Sequence, residues 1–134
     1  MKNIQRKFEK NGYVIVPGNK KLLGKIRKVI FKIIKNNKKI KNKSDNEENI
    51  TKIFNNFHNF INLKELNSLR FNIYKKINIG NSFSEIYYEI AKNYLNELVG
   101  NELSMQKKIN LSIQMPKDKS SLLDLHSDIY AGES

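Results

Sequence analysis

The sequence contains no cysteine and no tryptophan, and only two prolines. The absence of cysteine excludes disulfide bonds and thiolate metal sites, and it makes a reducing cytoplasm the expected compartment. The first ten residues lack the apolar core of a signal peptide, and no apolar run approaches the length of a membrane span. We therefore expect one cytoplasmic domain over residues 1–134, with no membrane span.

Acidic residues are almost missing from the N-terminal third. Residues 1–43 contain 15 lysines and arginines and one acid, Glu9, whereas residues 44–134 contain 10 basic and 12 acidic residues. The net charge of +12 is therefore an N-terminal property. Such a segment can bind phosphate backbones or anionic surfaces, although a solvated basic face is the simpler interpretation. A small basic helical module is the alternative function, and no base-reading motif favours nucleic acid as its partner.

Hydrophobic spacing predicts several helices after one short strand. The run Tyr13-Val14-Ile15-Val16, closed by Pro17 and Gly18, is typical of a strand over residues 12–16 that is buried on both faces. Apolar residues at helical spacing, with a Ser-x-x-Glu capping box beginning at Ser82, then predict helices. The predicted helical ranges are 4–10, 20–43, 50–61, 63–79 and 82–99.

After Gly100 the hydrophobic period changes from helical to alternating. Apolar side chains at 109, 111, 113 and 115 alternate with Asn110, Ser112 and Gln114, which predicts a half-buried strand. A second short strand over 122–125 follows a polar loop. We therefore expect an α+β fold with an N-terminal strand, about three to four helices and then the first strands of a sheet.

The triplet His126-Ser127-Asp128 follows this second predicted strand. Residues two apart in an extended chain point to the same side, so the imidazole and the carboxylate can reach one metal ion. Together they make two of the three ligands of the 2-His-1-carboxylate triad that holds Fe(II). The alternative is that both are ordinary exposed residues in a turn. The other histidine, His58, lies among phenylalanines and is expected to be structural.

The start Asn-Gly-Tyr-Val-Ile-Val-Pro at 11–17, the helices, and the strand–loop–His126-Ser-Asp128 order together resemble the phytanoyl-CoA dioxygenase-like family. Residues 108–134 look closest to a bacterial subgroup found in carbohydrate or surface-polysaccharide gene clusters. The resemblance covers the whole chain, but only the N-terminal half of such an enzyme. It implies an incomplete double-stranded β-helix (jelly-roll) and a dioxygenase that uses Fe(II) and 2-oxoglutarate. The implied substrate is small, for instance sugar-linked.

Carried over to this sequence, the resemblance makes His126 and Asp128 the first two iron ligands. A glutamine that contacts the 2-oxoglutarate matches Gln106 first and Gln114 as the alternative. Asn110 would line the same pocket, and Tyr130 would bound the substrate side.

The family pattern also contains a second histidine ligand and a basic residue that anchors the distal carboxylate of 2-oxoglutarate. No residue after Asp128 matches either of them. We therefore expect an inactive fragment of a parent oxygenase, from a truncated or split gene. A complementary C-terminal half is its candidate partner.

Overall fold

The computed structural model describes residues 2–37, 39–100 and 103–118. The regular structure in these ranges is helical, with a short 3-10 turn, Phe57–Asn59, before the fourth α-helix. Because none of the described residues lies in a strand, the predicted α+β fold with jelly-roll strands is wrong. The helices are α1 (Lys2–Asn11), α2 (Lys20–Ile34), α3 (Glu47–Asn55), α4 (Leu63–Ile77) and α5 (Ser82–Val99).

Helix α2 lies at the centre of the packing. It contacts α3, α4 and α5, and α1 packs against α5. Isoleucine and phenylalanine side chains at helical spacing form the core, as the sequence predicts. The main buried cluster consists of Phe31, Ile33, Ile34, Ile40, Ile50, Ile53, Ile73, Ile77 and Phe83, and a second, smaller cluster consists of Ile61, Leu66 and Met115.

Asparagine side chains cap the N-termini of three helices. Asn19 accepts a hydrogen bond from the backbone N–H of Leu22, Asn46 accepts one from Asn49, and Asn62 accepts one from Glu65. Each bond satisfies a backbone donor that has no partner inside the helix. These caps explain why α2, α3 and α4 begin where they do.

Helix α2 ends at Ile34 and does not continue to residue 43 as predicted. The chain turns at Asn37, whose side chain accepts from the backbone N–H of Lys39 at 2.9 Å. This turn returns Ile40 to the core, where it is fully buried. A side chain–backbone turn together with the burial of one isoleucine therefore overrides the lysine-rich helical pattern.

The start of α5 differs by one residue from the predicted capping box. Ser82 is already helical, and the cap position is Asn81, which makes no side-chain cap hydrogen bond. Instead, the hydroxyl of Ser84 donates to the backbone carbonyl of Asn81 at 2.8 Å. The predicted end of this helix is confirmed, since Gly100 follows Val99 with a φ of +80°.

The predicted strand over 12–16 is absent. Gly12 ends α1 with a φ of +75°, and the residues after it have no regular structure until α2. Val14 and Val16 are half-buried, but Tyr13 and Ile15 are 63% and 89% exposed, so burial on both faces is also wrong. β-Branched residues favour a strand only where a neighbouring strand receives them, and no described segment pairs with this one.

Gly24 offers a direct test of the packing around α2. A Cβ added at this position would lie 3.6 Å from the carboxylate oxygens of Glu47, which is ordinary contact. Since glycine is a poor residue inside a helix, we expect Gly24→Ala to raise the free energy of unfolding by about 0.5–1 kcal/mol. Urea denaturation followed by circular dichroism measures this.

The matched control is Gly12→Ala, where the positive φ is unfavourable for alanine although space is open. This variant should lower the free energy of unfolding by about 1 kcal/mol. A destabilised Gly24→Ala would contradict the room described for a side chain between position 24 of α2 and the carboxylate of Glu47.

Candidate functional site

The segment 109–115 lies across the helices without regular secondary structure. Ile109, Leu111 and Ile113 are half-buried against the main core, whereas Asn110, Ser112 and Gln114 are exposed. Met115, the last residue of the segment, is buried in the second, smaller cluster. The predicted half-burial is therefore confirmed. The predicted strand is wrong, because no described neighbour forms a hydrogen-bonded ladder with this segment.

Asn78, at the C-terminal end of α4, anchors the start of this segment. Its side-chain oxygen accepts from the backbone N–H of Ile109 at 2.8 Å, and its amide nitrogen donates to the carbonyl of Ile109 at 2.9 Å. The same nitrogen donates to the carbonyl of Tyr74 at 2.8 Å. The side-chain amide of Asn78 thus hydrogen-bonds with both the backbone N–H and the backbone C=O of Ile109, as a neighbouring strand would.

Arg70 of α4 anchors the other end of the segment. Its guanidinium donates to the backbone carbonyl of Ile113 and, at 3.1 Å, to the side-chain oxygen of Asn67. A charged donor on a part-buried carbonyl makes a stronger hydrogen bond than a neutral one. The segment is therefore held to α4 at Ile109 and at Ile113. Gln114 directly follows Ile113 in the sequence.

A cavity of about 420 Å³ opens between this segment and helices α2, α3 and α4. Its walls are mostly aliphatic and aromatic, with few polar groups, which is the usual character of a small-molecule site. We call it the Arg27 pocket. It is lined by Arg27, Ile30, Ile34, Phe54, Phe57, Ile73, Leu111, Ser112, Ile113 and Gln114.

Arg27 is the cationic side chain of this pocket. Its guanidinium donates to the hydroxyl of Thr51 at 2.6 Å, lies 3.8 Å from a carboxylate oxygen of Glu47 and stands 5.8 Å from the centroid of the Phe54 ring. These contacts orient the guanidinium, and its remaining N–H groups can serve a ligand. An apolar cavity with one oriented arginine suits an organic anion.

Of the predicted co-substrate contacts, only Gln114 lines the Arg27 pocket. Asn110 is exposed on the same segment, and Gln106 is exposed in the stretch before it. Neither belongs to the pocket lining, so the structure does not bring the predicted glutamines and asparagine together. His58 is exposed in the 3-10 turn, so the phenylalanines around it do not bury it.

The predicted iron ligands His126 and Asp128, and Tyr130 beside them, lie outside the described residues. So does the predicted strand over 122–125. Within the ranges that the structure describes, no three histidine, cysteine, aspartate or glutamate side chains come together as a metal site.

Sequence reasoning missed Arg27, Arg70 and Asn78. For Arg27 a signal was present, because it falls at helical spacing with Leu23, Ile30 and Ile34 and is therefore on the apolar side of α2. Its place in a lysine-rich run hid that spacing. Asn78 carried no comparable signal, since its role depends on a segment 31 residues away.

The pKa of Lys92 is raised by its hydrogen bond to Glu89, one turn earlier on α5. This pair is on the surface and is not part of the Arg27 pocket.

Comparison of the chain with family models, with curated proteins and with solved structures gives no match. Among the helices of the described ranges, none has both the length and the hydropathy that crossing a bilayer requires.

Proposed function

We propose that this chain supplies the first two iron ligands of an Fe(II)/2-oxoglutarate-dependent oxygenase, through His126 and Asp128. The observation that supports the proposal is the alternating exposure along 109–115, an anchored segment with one polar side that precedes this pair in the sequence. The family resemblance of the sequence supports the same assignment. The parent enzyme would hydroxylate a small, sugar-linked substrate.

The donor set fits the metal by its chemistry. A neutral imidazole nitrogen and an ionised carboxylate oxygen are ligands that Fe(II) accepts, and they leave positions open for a chelating co-substrate and dioxygen. When bound, iron with 2-oxoglutarate and dioxygen supplies the oxidising power for hydroxylation. The cytoplasm is the proposed compartment, because Fe(II) is maintained under reducing conditions.

The chain's own contribution beyond the ligands is orientation. Asn78 and Arg70 hold the segment 109–115 on α4, and Gln114 of this segment is among the residues that line the Arg27 pocket. A primary amide there can donate to a carboxylate of a small organic acid. We propose Gln114, rather than Gln106 or Asn110, as the residue that contacts the co-substrate.

A second histidine ligand and a basic group for the distal carboxylate complete the proposed site from a complementary C-terminal segment. The sequence contains two histidines, and neither lies after His126. Metal binding by the 134-residue chain is therefore expected to be weak.

The test is a titration of the chain with Mn(II), a stable substitute for Fe(II), measured by calorimetry. We expect weak binding that His126→Ala reduces about tenfold or more, because one of two ligands is lost. His58→Ala is the matched control and should bind as the wild type does. Binding that is absent in the wild type, or equal in wild type and His126→Ala, would contradict the assignment.

The oxygenase chemistry is tested separately from the metal site. 2-Oxoglutarate chelates a metal through its keto acid, whereas succinate lacks the keto group. 2-Oxoglutarate should therefore increase the fraction of Mn(II) bound by the chain, and succinate should not. An equal effect of both acids would contradict 2-oxoglutarate as the co-substrate. It would not contradict the metal site.

A further inference from the structure

The N-terminal part of the chain exposes apolar and basic side chains together. It comprises α1, the linker 12–19 and the first turns of α2. Tyr13 and Ile15 stand out into solvent, and Ile15 is 89% exposed. Other exposed members are Phe8 and Leu23, and the basic ones are Arg6, Lys7, Lys10, Lys20, Lys21 and Lys25. We call this set the N-terminal basic surface.

Helix α5 contacts each of the three parts of the N-terminal basic surface, which are α1, the linker and α2. Helices α1 and α2 both pack on α5, and the hydroxyl of Tyr94 on α5 donates to the backbone carbonyl of Pro17 at 3.2 Å. The linker is therefore fixed at its end. Val14 and Val16 are half-buried, and this alternation leaves Tyr13 and Ile15 exposed together.

The charge of this surface is nearly all of one sign. Glu9 is the single acid among the first 43 residues. In the described part of the chain, the ion pairs are Arg27–Glu47 and Lys92–Glu89, so the basic residues of the N-terminal basic surface have no acidic partner there. A surface of this kind attracts anions at distances up to the Debye length.

We propose that the N-terminal basic surface binds an anionic phospholipid bilayer. Tyr13 and Ile15 enter the interface between headgroups and acyl chains, and the exposed lysines of α1 and of the first turns of α2 contact the lipid phosphates. The combination of a basic face with exposed apolar side chains is what interfacial binding requires. Nucleic acid explains the lysines equally well, but an aliphatic side chain such as Ile15 gains nothing from a phosphate backbone. This proposal does not depend on His126 or Asp128.

The test is cosedimentation of the full chain with vesicles of phosphatidylcholine that contain phosphatidylserine, and with vesicles of phosphatidylcholine alone. We expect binding to the anionic vesicles only, and release by added salt. Ile15→Asn should reduce the partition coefficient about tenfold or more, because an isoleucine side chain no longer leaves water. The Lys20→Gln/Lys21→Gln variant should reduce it about fivefold per lysine.

Ile79→Asn is the matched control, because Ile79 is 74% exposed in the connection between α4 and α5. It removes the same apolar group without a change of charge and should bind as the wild type does. Both isoleucines are exposed, so both variants should keep the wild-type circular dichroism spectrum.

Three results would overturn the proposal. They are failure to sediment with the anionic vesicles, equal binding by Ile15→Asn and Ile79→Asn, and salt-dependent binding to a DNA or RNA duplex without binding to vesicles. The last result would assign the surface to nucleic acid.

Discussion

Phe31→Ala is expected to lower the free energy of unfolding by about 3–5 kcal/mol. Phe31 is 0% exposed on α2, the helix that contacts α3, α4 and α5. Truncation therefore removes the apolar contacts of the ring and leaves a cavity between several helices at once. Because a domain of this size is stabilised by only about 5–15 kcal/mol, the loss should appear as a large shift of the urea midpoint in circular dichroism.

Phe71→Ala is the control for this change. Phe71 is 58% exposed on α4, and the ammonium nitrogen of Lys75 lies 4.3 Å from the centroid of its ring, in a cation–π contact. Loss of that contact should cost about 1 kcal/mol or less. If Phe31→Ala leaves too little folded protein to measure, Phe31→Leu gives a smaller loss in the same direction. Equal effects of the substitutions at 31 and 71 would contradict the central position of α2.

Asn78→Ala is expected to lower the free energy of unfolding by about 2–3 kcal/mol. It removes two hydrogen bonds to Ile109 and one to Tyr74, each contributing about 1 kcal/mol. The loss is local, so the backbone amide of Ile109 should exchange its hydrogen faster than in the wild type. Urea denaturation measures the first effect, and hydrogen exchange followed by NMR measures the second.

Asn93→Ala supplies the comparison for this variant, since Asn93 is exposed on α5. It should leave stability unchanged or raise it slightly, because alanine is the better helix former. If Asn78→Ala behaved like Asn93→Ala, with unchanged exchange at Ile109, the segment 109–115 would not be held in the way described.

The helices could be predicted from the sequence because their packing surfaces are local. Leu66, Ile73 and Ile77 recur at helical spacing, and all three are buried in α4. The bounds were less accurate, since the turn at Asn37 and the cap at Asn81 depend on side chain–backbone contacts that hydrophobic spacing does not reveal.

The strands could not be predicted in the same way, because a strand requires a partner that its own sequence does not specify. For 109–115 the alternation of Ile109, Leu111 and Ile113 gave the correct buried face, but α4 side chains take the place of a neighbouring strand. For Tyr13 and Ile15 even the burial was wrong, since no described element covers their exposed side.

The candidate site also combines residues that the sequence predicted with residues that it did not. Gln114, which the resemblance gave as the alternative to Gln106, lines the Arg27 pocket, and its contact with a co-substrate stays a prediction. Arg27 was missed, because the lysine-rich run around it hid its spacing with the apolar residues of α2, and spacing does not reveal its contacts with Thr51 and Glu47 of α3. His126 and Asp128 stay a prediction, since they lie outside the described residues.

The most direct test of the proposed iron site is NMR of the histidine side chains during addition of Mn(II). The chain contains two histidines, so their imidazole signals are simple to assign with His58→Ala and His126→Ala. Mn(II) is paramagnetic and broadens the signals of nuclei close to it. The proposed site predicts selective loss of the His126 signals while those of His58 persist. Equal broadening of both histidines, or preferential broadening of His58, would contradict it.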